Sequence, residues 1–127
     1  MTAPQFLVAD EATRAGLPID GATALMDAWS IPVGRFAELL GISDRHWRRI
    51  SKTSGSLGML ESDRLSRVQK ILEHVLEVFE TSETAEHWLK SPVAALNGRT
   101  PLSMLDTDAG IDGVRTVLVR IEHGVFS

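Results

Sequence analysis

The chain has 127 residues, a net charge of −4 and no cysteine, a length that predicts one domain or two small helical subdomains able to bury roughly two-thirds of their unfolded surface. Without cysteine, disulfide, zinc-thiolate and thiol-nucleophile schemes are excluded, which fits a reducing, cytoplasmic setting. No stretch approaches the ~18 uninterrupted apolar residues of a membrane span, and Met1 to Asp10 carry neither the basic start nor the apolar run of an export signal, so neither membrane insertion nor secretion is expected.

Apolar residues recur at three-to-four spacing throughout, and no alternating run bounded by turn residues appears, so the fold class expected is all-α. After a polar N-terminal segment, a first helix is predicted over about 22–29, ending near Ser30 because Pro32 disfavours helix at the residue before it. Pro32 opens a second helix running to about Leu40, where Gly41 offers a left-handed stop, and Ser43 caps a third to about Ser51. Lys52 to Leu60 holds two glycines and three hydroxyl residues among nine, which marks a linker and sets the expected domains at 1–60 and 61–127. Ser62 is then read as the cap of a long helix to about Glu80, with Leu65, Val68, Leu72, Val75 and Phe79 forming a stripe widened by Ile71, Leu76 and Val78. Further helices are expected at about 83–90, 92–96, 101–105 and 108–123, with Pro92 and Pro101 as starts and Gly98 and Gly124 as stops.

Between Pro32 and Ile50 the order Phe36-Ala37-x-x-Leu40-Gly41-Ile42-Ser43, then Trp47 and Ile50, looks like a helix-turn-helix: a small residue for close approach, a glycine for the turn, an apolar corner plug and a hydroxyl cap. Charge supports that reading. Residues 1–34 carry one Arg against four acids, 35–52 carry five Arg or Lys against two, 53–60 carry none, and 61–127 carry seven against eleven. On the second helix of the pair Arg45, Arg48 and Arg49, with Lys52 just beyond, are the candidate DNA-binding residues, since Arg suits bidentate phosphate or guanine contact. The alternative is a solvated basic face with Trp47 in an ordinary core. The acidic remainder makes any DNA affinity modest and salt-sensitive.

Enzyme signatures are missing. His46, His74, His87 and His123 lack metal-ligand spacing, and Ser54-Gly55-Ser56-Leu57-Gly58 has neither the phosphate-loop nor the nucleophile-elbow register. Glu73 with Glu77 and Glu83 with Glu86 read as solvated pairs. No catalytic residue, metal or cofactor is assigned, and the chain is read as a binding protein.

The second half carries linked motifs in order: Ser62-x-Arg64-Leu65-x-Arg67, Ala85-x-x-Trp88-Leu89-x-x-Pro92, Leu96-x-Gly98-x-Thr100-Pro101-Leu102, Leu105-Asp106-Thr107-x-x-Gly110, and Arg120-Ile121-Glu122-x-Gly124-Val125-Phe126-Ser127. Together they resemble the Xre/MbcA/ParS-type antitoxin family over about 61–127, with the helix-turn-helix as the family's usual N-terminal module. One departure is Val93, where the family favours Asn after the proline. Most of these residues have local structural roles: Trp88 and Leu89 anchor a short helix, Pro92 ends it, Gly98 takes a left-handed turn, and Thr100 caps the next start. Arg64 and Arg67 read either as surface neighbours of Glu61, Asp63 and Lys70 or as a toxin or dimer contact.

The resemblance implies an antitoxin whose cognate partner is a RES-domain toxin, an ADP-ribosyltransferase-like protein that consumes NAD. In such pairs the antitoxin covers the active-site cleft, and the complex often represses its own promoter DNA. The alternative classes are a stand-alone helix-turn-helix regulator and a structural interaction module. Val114, Val117, Leu118 and Ile121 face the final helix inward, and Gly124 then releases Val125, Phe126 and Ser127. That apolar tail either folds back on its helix or enters a concave, NAD-sized pocket with Phe126 as plug and Arg120 and Glu122 at a polar rim. Arg120, Glu122, Gly124, Val125, Phe126 and Ser127 are therefore the candidate toxin-binding residues. The long helix carries apolar residues on more than one face, which predicts a homodimer.

Overall fold

Proline fixes the first two helix starts. Pro18 and Pro32 hold extended backbone at φ −62° and −61°, each immediately before a first helical residue, in a computed structural model that describes residues 17–53 and 55–124. Six α-helices result among the described residues, with no strand: α1 (Ile19–Ala28), α2 (Val33–Leu40), α3 (Asp44–Thr53), α4 (Met59–Phe79), α5 (Ser82–Leu89) and α6 (Asp108–Glu122). Short 3-10 turns occupy Ala94–Leu96 and Leu102–Met104. The all-α expectation is met. The chain forms two compact units, one ending at Arg67 and the other beginning at Val68.

In the first unit, α1 and α2 end alike. Ser30 and Gly41 take left-handed backbone at φ 52° and 70°. The next amide reaches back six residues inclusively, Ile31 N–H to Met26 O at 2.9 Å and Ile42 N–H to Ala37 O at 2.9 Å, which satisfies carbonyls a helix end otherwise leaves bare. Ile31 and Ile42 are buried by those turns, and Phe36 meets Trp47 edge to face at 6.5 Å. Helix α1 starts three residues earlier than expected because Ile19, 3% exposed, is itself a core anchor.

The expected linker is not a loose tether. Helix α3 extends to Thr53, and Gly55 to Leu57 run beside Leu17 to Ile19, with Ile19 N–H bonding Gly55 O at 3.1 Å and Leu57 N–H bonding Leu17 O at 2.8 Å. Leu57 is buried. Ser62 is not a cap but lies inside α4, fully buried: its hydroxyl accepts from Leu17 N–H at 2.8 Å and donates to Leu57 O at 3.4 Å. The start belongs to Gly58, whose N–H donates to the Glu61 carboxylate at 3.0 Å, half of a capping box. The two compact units divide inside α4, after Arg67, and Ser62 and Arg64 are bonded into the first of them.

The second unit is built on the rest of α4, where Val68, Ile71, Leu72 and Val75 are all buried, with Ala85, Leu89, Leu96, Leu102, Leu105, Ile111, Val114, Val117 and Leu118 completing its core. Truncating one of its fully buried leucines to Ala costs about 2–5 kcal/mol. Trp88 stacks on Phe79 at 5.1 Å, and Thr81 caps α5 by accepting the Thr84 N–H at 3.2 Å. The segments expected as helices at 92–96 and 101–105 are single 3-10 turns. Between them Asn97 and Gly98, at φ 58° and 78°, form a type I′ turn closed by Arg99 N–H to Leu96 O at 3.1 Å, and Val93 pairs its backbone with Arg99. That reversal leaves no room for a second helical turn. Thr100 caps the following start as expected, accepting the Ser103 N–H at 3.2 Å.

Candidate functional site

Helix α3 presents two chemically opposed faces. At about 100° per residue, Arg45, Arg48, Arg49 and Lys52 fall within one arc of about 100°, with Trp47 and Ile50 on the far side. The four cations are exposed, while Trp47 and Ile50 are buried. Arg45, Arg48, Arg49 and Lys52 line one shallow depression together with Asp44. Ser43 accepts the His46 N–H at 3.2 Å, so the turn-and-cap expected at Gly41 to Ser43 orients this face. Arg49 donates to His46 Nδ1 at 2.7 Å, which requires that nitrogen to be the unprotonated one. Arg45, Arg48 and Lys52 form no ion pair with any described residue, leaving their charge available to a polyanion.

Arg64 makes a long-range contact on α2 that its neighbours in sequence do not suggest. Its Nε donates to Leu39 O at 3.0 Å, bringing a cation to the negative end of α2 and satisfying an orphan carbonyl. Arg67 pairs with Asp63 at 3.1 Å on the exposed side of α4. Nothing in local spacing marks Arg64 for this contact, since its partner lies 25 residues away.

At the far end of the second unit, Thr107 caps α6 by accepting the Gly110 N–H at 2.9 Å. Gly110 is needed there: a Cβ on it would overlap the Met104 carbonyl and crowd Thr107 Oγ1 at 3.0 Å. Helix α6 then runs to Glu122, and Gly124 leaves helical geometry at φ 68°, as its position as a stop predicts. Arg120 and Glu122 are exposed at residue level, and Glu122 Oε1 lies 2.7 Å from His74 Nε2 on α4. Val125, Phe126 and Ser127 lie outside the described residues, as does Ser54.

Among the described residues, no three His, Asp or Glu side chains converge in a way that could hold a metal ion, and no helix is long and apolar enough to cross a membrane. Glu86 pairs with Lys90 at 3.0 Å and Glu73 accepts from Gln69 at 3.4 Å, ordinary contacts along helix surfaces.

Two family models divide the chain much as its two units do. Residues 8–70 match an antitoxin Xre-like helix-turn-helix domain, and residues 74–124 match the antitoxin Xre/MbcA/ParS C-terminal toxin-binding domain. A protein named antitoxin Xre from Photorhabdus laumondii is 31% identical over 88% of this chain and 76% of its own length. The chain belongs to the Xre antitoxin family. Another antitoxin Xre, from Yersinia enterocolitica, is 30% identical over 88% of the chain and 87% of its own length, and one from Pseudomonas putida is 38% identical over 50% and 40%. In this Xre antitoxin the basic face of α3 lies within the helix-turn-helix domain, and the Trp88, Thr107, Gly110 and Glu122 positions lie within the toxin-binding domain.

Proposed function

We propose that this antitoxin neutralises a cognate RES-domain toxin, encoded by the adjacent gene, in the cytoplasm by covering its NAD-binding cleft. The observation that supports the reading is that residues 74–124 match an antitoxin toxin-binding domain, at whose end Gly124 turns out of α6. Phe126 fills the apolar part of the cleft, and Arg120 and Glu122 stand at its rim. The NAD chemistry belongs to the toxin, and the antitoxin itself supplies no catalytic group. In this reading residues 1–60 address DNA and 61–127 address the toxin. Co-expression with the neighbouring toxin gene tests it: the antitoxin restores growth and co-purifies with the toxin. A folded chain that does neither, yet binds a promoter, is instead a stand-alone regulator.

The cationic arc on α3 supports a second activity for the same protein, repression of its own promoter by the antitoxin or its toxin complex, through phosphate and base-edge contacts from Arg45, Arg48, Arg49 and Lys52. A homodimer accounts for the apolar side chains that α4 leaves exposed, Met59, Leu60 and Leu76. Light scattering that returns a monomer mass at every concentration rules the dimer out.

A further inference from the structure

We propose that His74 is a positioning residue for toxin capture: it holds the Glu122 carboxylate and so fixes the last turn of α6, from which the chain leaves toward the toxin. The inference rests on the reading that the segment after Gly124 enters the toxin cleft.

Three features of the second unit point to it. The buried side chains of α6 end at Leu118; Val119, Arg120 and Glu122 are exposed and Ile121 only half-buried, so no core residue clamps the final turn. Helix ends fray when nothing holds them. Glu122 is, moreover, an unfavourable residue where it stands, because a carboxylate at a helix C-terminus opposes the helix dipole. A partner is what makes that choice sensible. His74 supplies one across 48 residues of sequence, with Nε2 at 2.7 Å from Glu122 Oε1. The imidazole N–H donates and the carboxylate accepts, the short geometry of a charge-assisted hydrogen bond.

The platform behind the contact is rigid. Leu72 and Val75, on either side of His74 along α4, are both fully buried. The His74 side chain is 22% exposed and that of Glu122 39%, so the pair sits at the edge of the core, where it orders a surface element without adding much to global stability. Glu122 stands at the rim of the cleft, and its contribution there passes through His74: with one oxygen committed to the imidazole, it holds the exit of the chain in one direction. A binding segment whose exit is already ordered loses less freedom on association.

The experiment measures affinity for the purified neighbouring toxin by calorimetry, using the full chain, His74→Ala, Glu122→Ala, the double variant, His74→Gln and a chain ending at Gly124. Each Ala variant is expected to bind about 2–12-fold more weakly with near-normal helicity and melting temperature. The double variant should be no weaker than either single one, and His74→Gln, which still offers an N–H, should recover most of the loss. Additive losses would mean that Glu122 meets the toxin on its own, and equal weakness of the Gln and Ala variants would mean that no hydrogen bond is involved; either overturns the proposal. If the chain ending at Gly124 binds as tightly as the full chain, the exit segment is not the binding element and the proposal falls with that reading. If truncation weakens binding while His74→Ala does not, only the positioning role of His74 is lost.

Discussion

Replacing Gly110 by Ala separates local propensity from tertiary fit. In a helix interior, Gly→Ala ordinarily stabilises by about 1 kcal/mol because the unfolded chain loses less freedom. At Gly110 the added Cβ would overlap Met104 O, lie 2.8 Å from Met104 C and 3.0 Å from Thr107 Oγ1. Two of those three neighbours are backbone atoms, which cannot swing aside as a side-chain tip can. Relief requires α6 to shift away from the Leu102–Met104 turn, weakening the Thr107 cap and the burial of Ile111 and Val114 behind it. Overpacking of that kind costs about 1–3 kcal/mol and loss of the cap about 1 kcal/mol, so after the propensity gain of about 1 kcal/mol the net expectation is a destabilisation of about 2 kcal/mol. That corresponds to a fall of roughly 6–10 °C in melting temperature. Gly113 is the internal control: it lies in the same helix, and a Cβ added there would meet nothing within 4 Å, so Gly113→Ala should instead raise stability by about 0.5–1 kcal/mol. Circular-dichroism melting of the two variants side by side decides the matter. If Gly110→Ala melts at or above the unsubstituted chain, the close approach of α6 to the Met104 carbonyl is not what holds this end of the unit.

Arg64→Ala should cost about 1–3 kcal/mol, because Leu39 is fully buried and its carbonyl loses a charge-assisted donor, whereas Arg67→Ala should stay within about 0.5 kcal/mol, as exposed ion pairs do. Urea titration of both variants checks the ordering. Combined Ala replacement of Arg45, Arg48 and Arg49 is expected to abolish promoter binding by the antitoxin or its complex and, where residual binding is measurable, to lower the slope of log K against log salt by about 2–3. Unchanged binding by the folded triple variant would remove α3 as the DNA-contacting element.

Local signals were legible in the sequence because their partners are near neighbours. Gly41, Ser43, Gly98, Thr100 and Gly124 each perform the stop or cap their residue type suggests, with contacts no more than a few residues away. The basic face of α3 was legible for the same reason, since helix geometry alone aligns Arg45, Arg48, Arg49 and Lys52. What was not legible depends on distant partners. Ser62 has the composition of a cap, yet Leu17, 45 residues earlier, draws its hydroxyl into the core of the first unit. The polar run before it reads as a linker, although one buried leucine and two backbone hydrogen bonds tie it down. Pro92 and Pro101 resemble helix starts, but the Asn97-Gly98 reversal cuts the intervening segments to single turns. Arg64 and His74 carry no periodic signal for their contacts, which only folding creates.

The most direct test of neutralisation by the exit segment is the affinity of the purified neighbouring toxin for the full antitoxin and for a chain ending at Gly124, with helicity measured on both. Burial of Phe126 in the toxin is worth about 2–3 kcal/mol, so the shortened chain should remain helical, bind about 30–150-fold more weakly and fail to restore growth to cells expressing the toxin. A shortened chain that binds and protects as well as the full one would contradict the account and transfer inhibition to the helical surface of the toxin-binding domain.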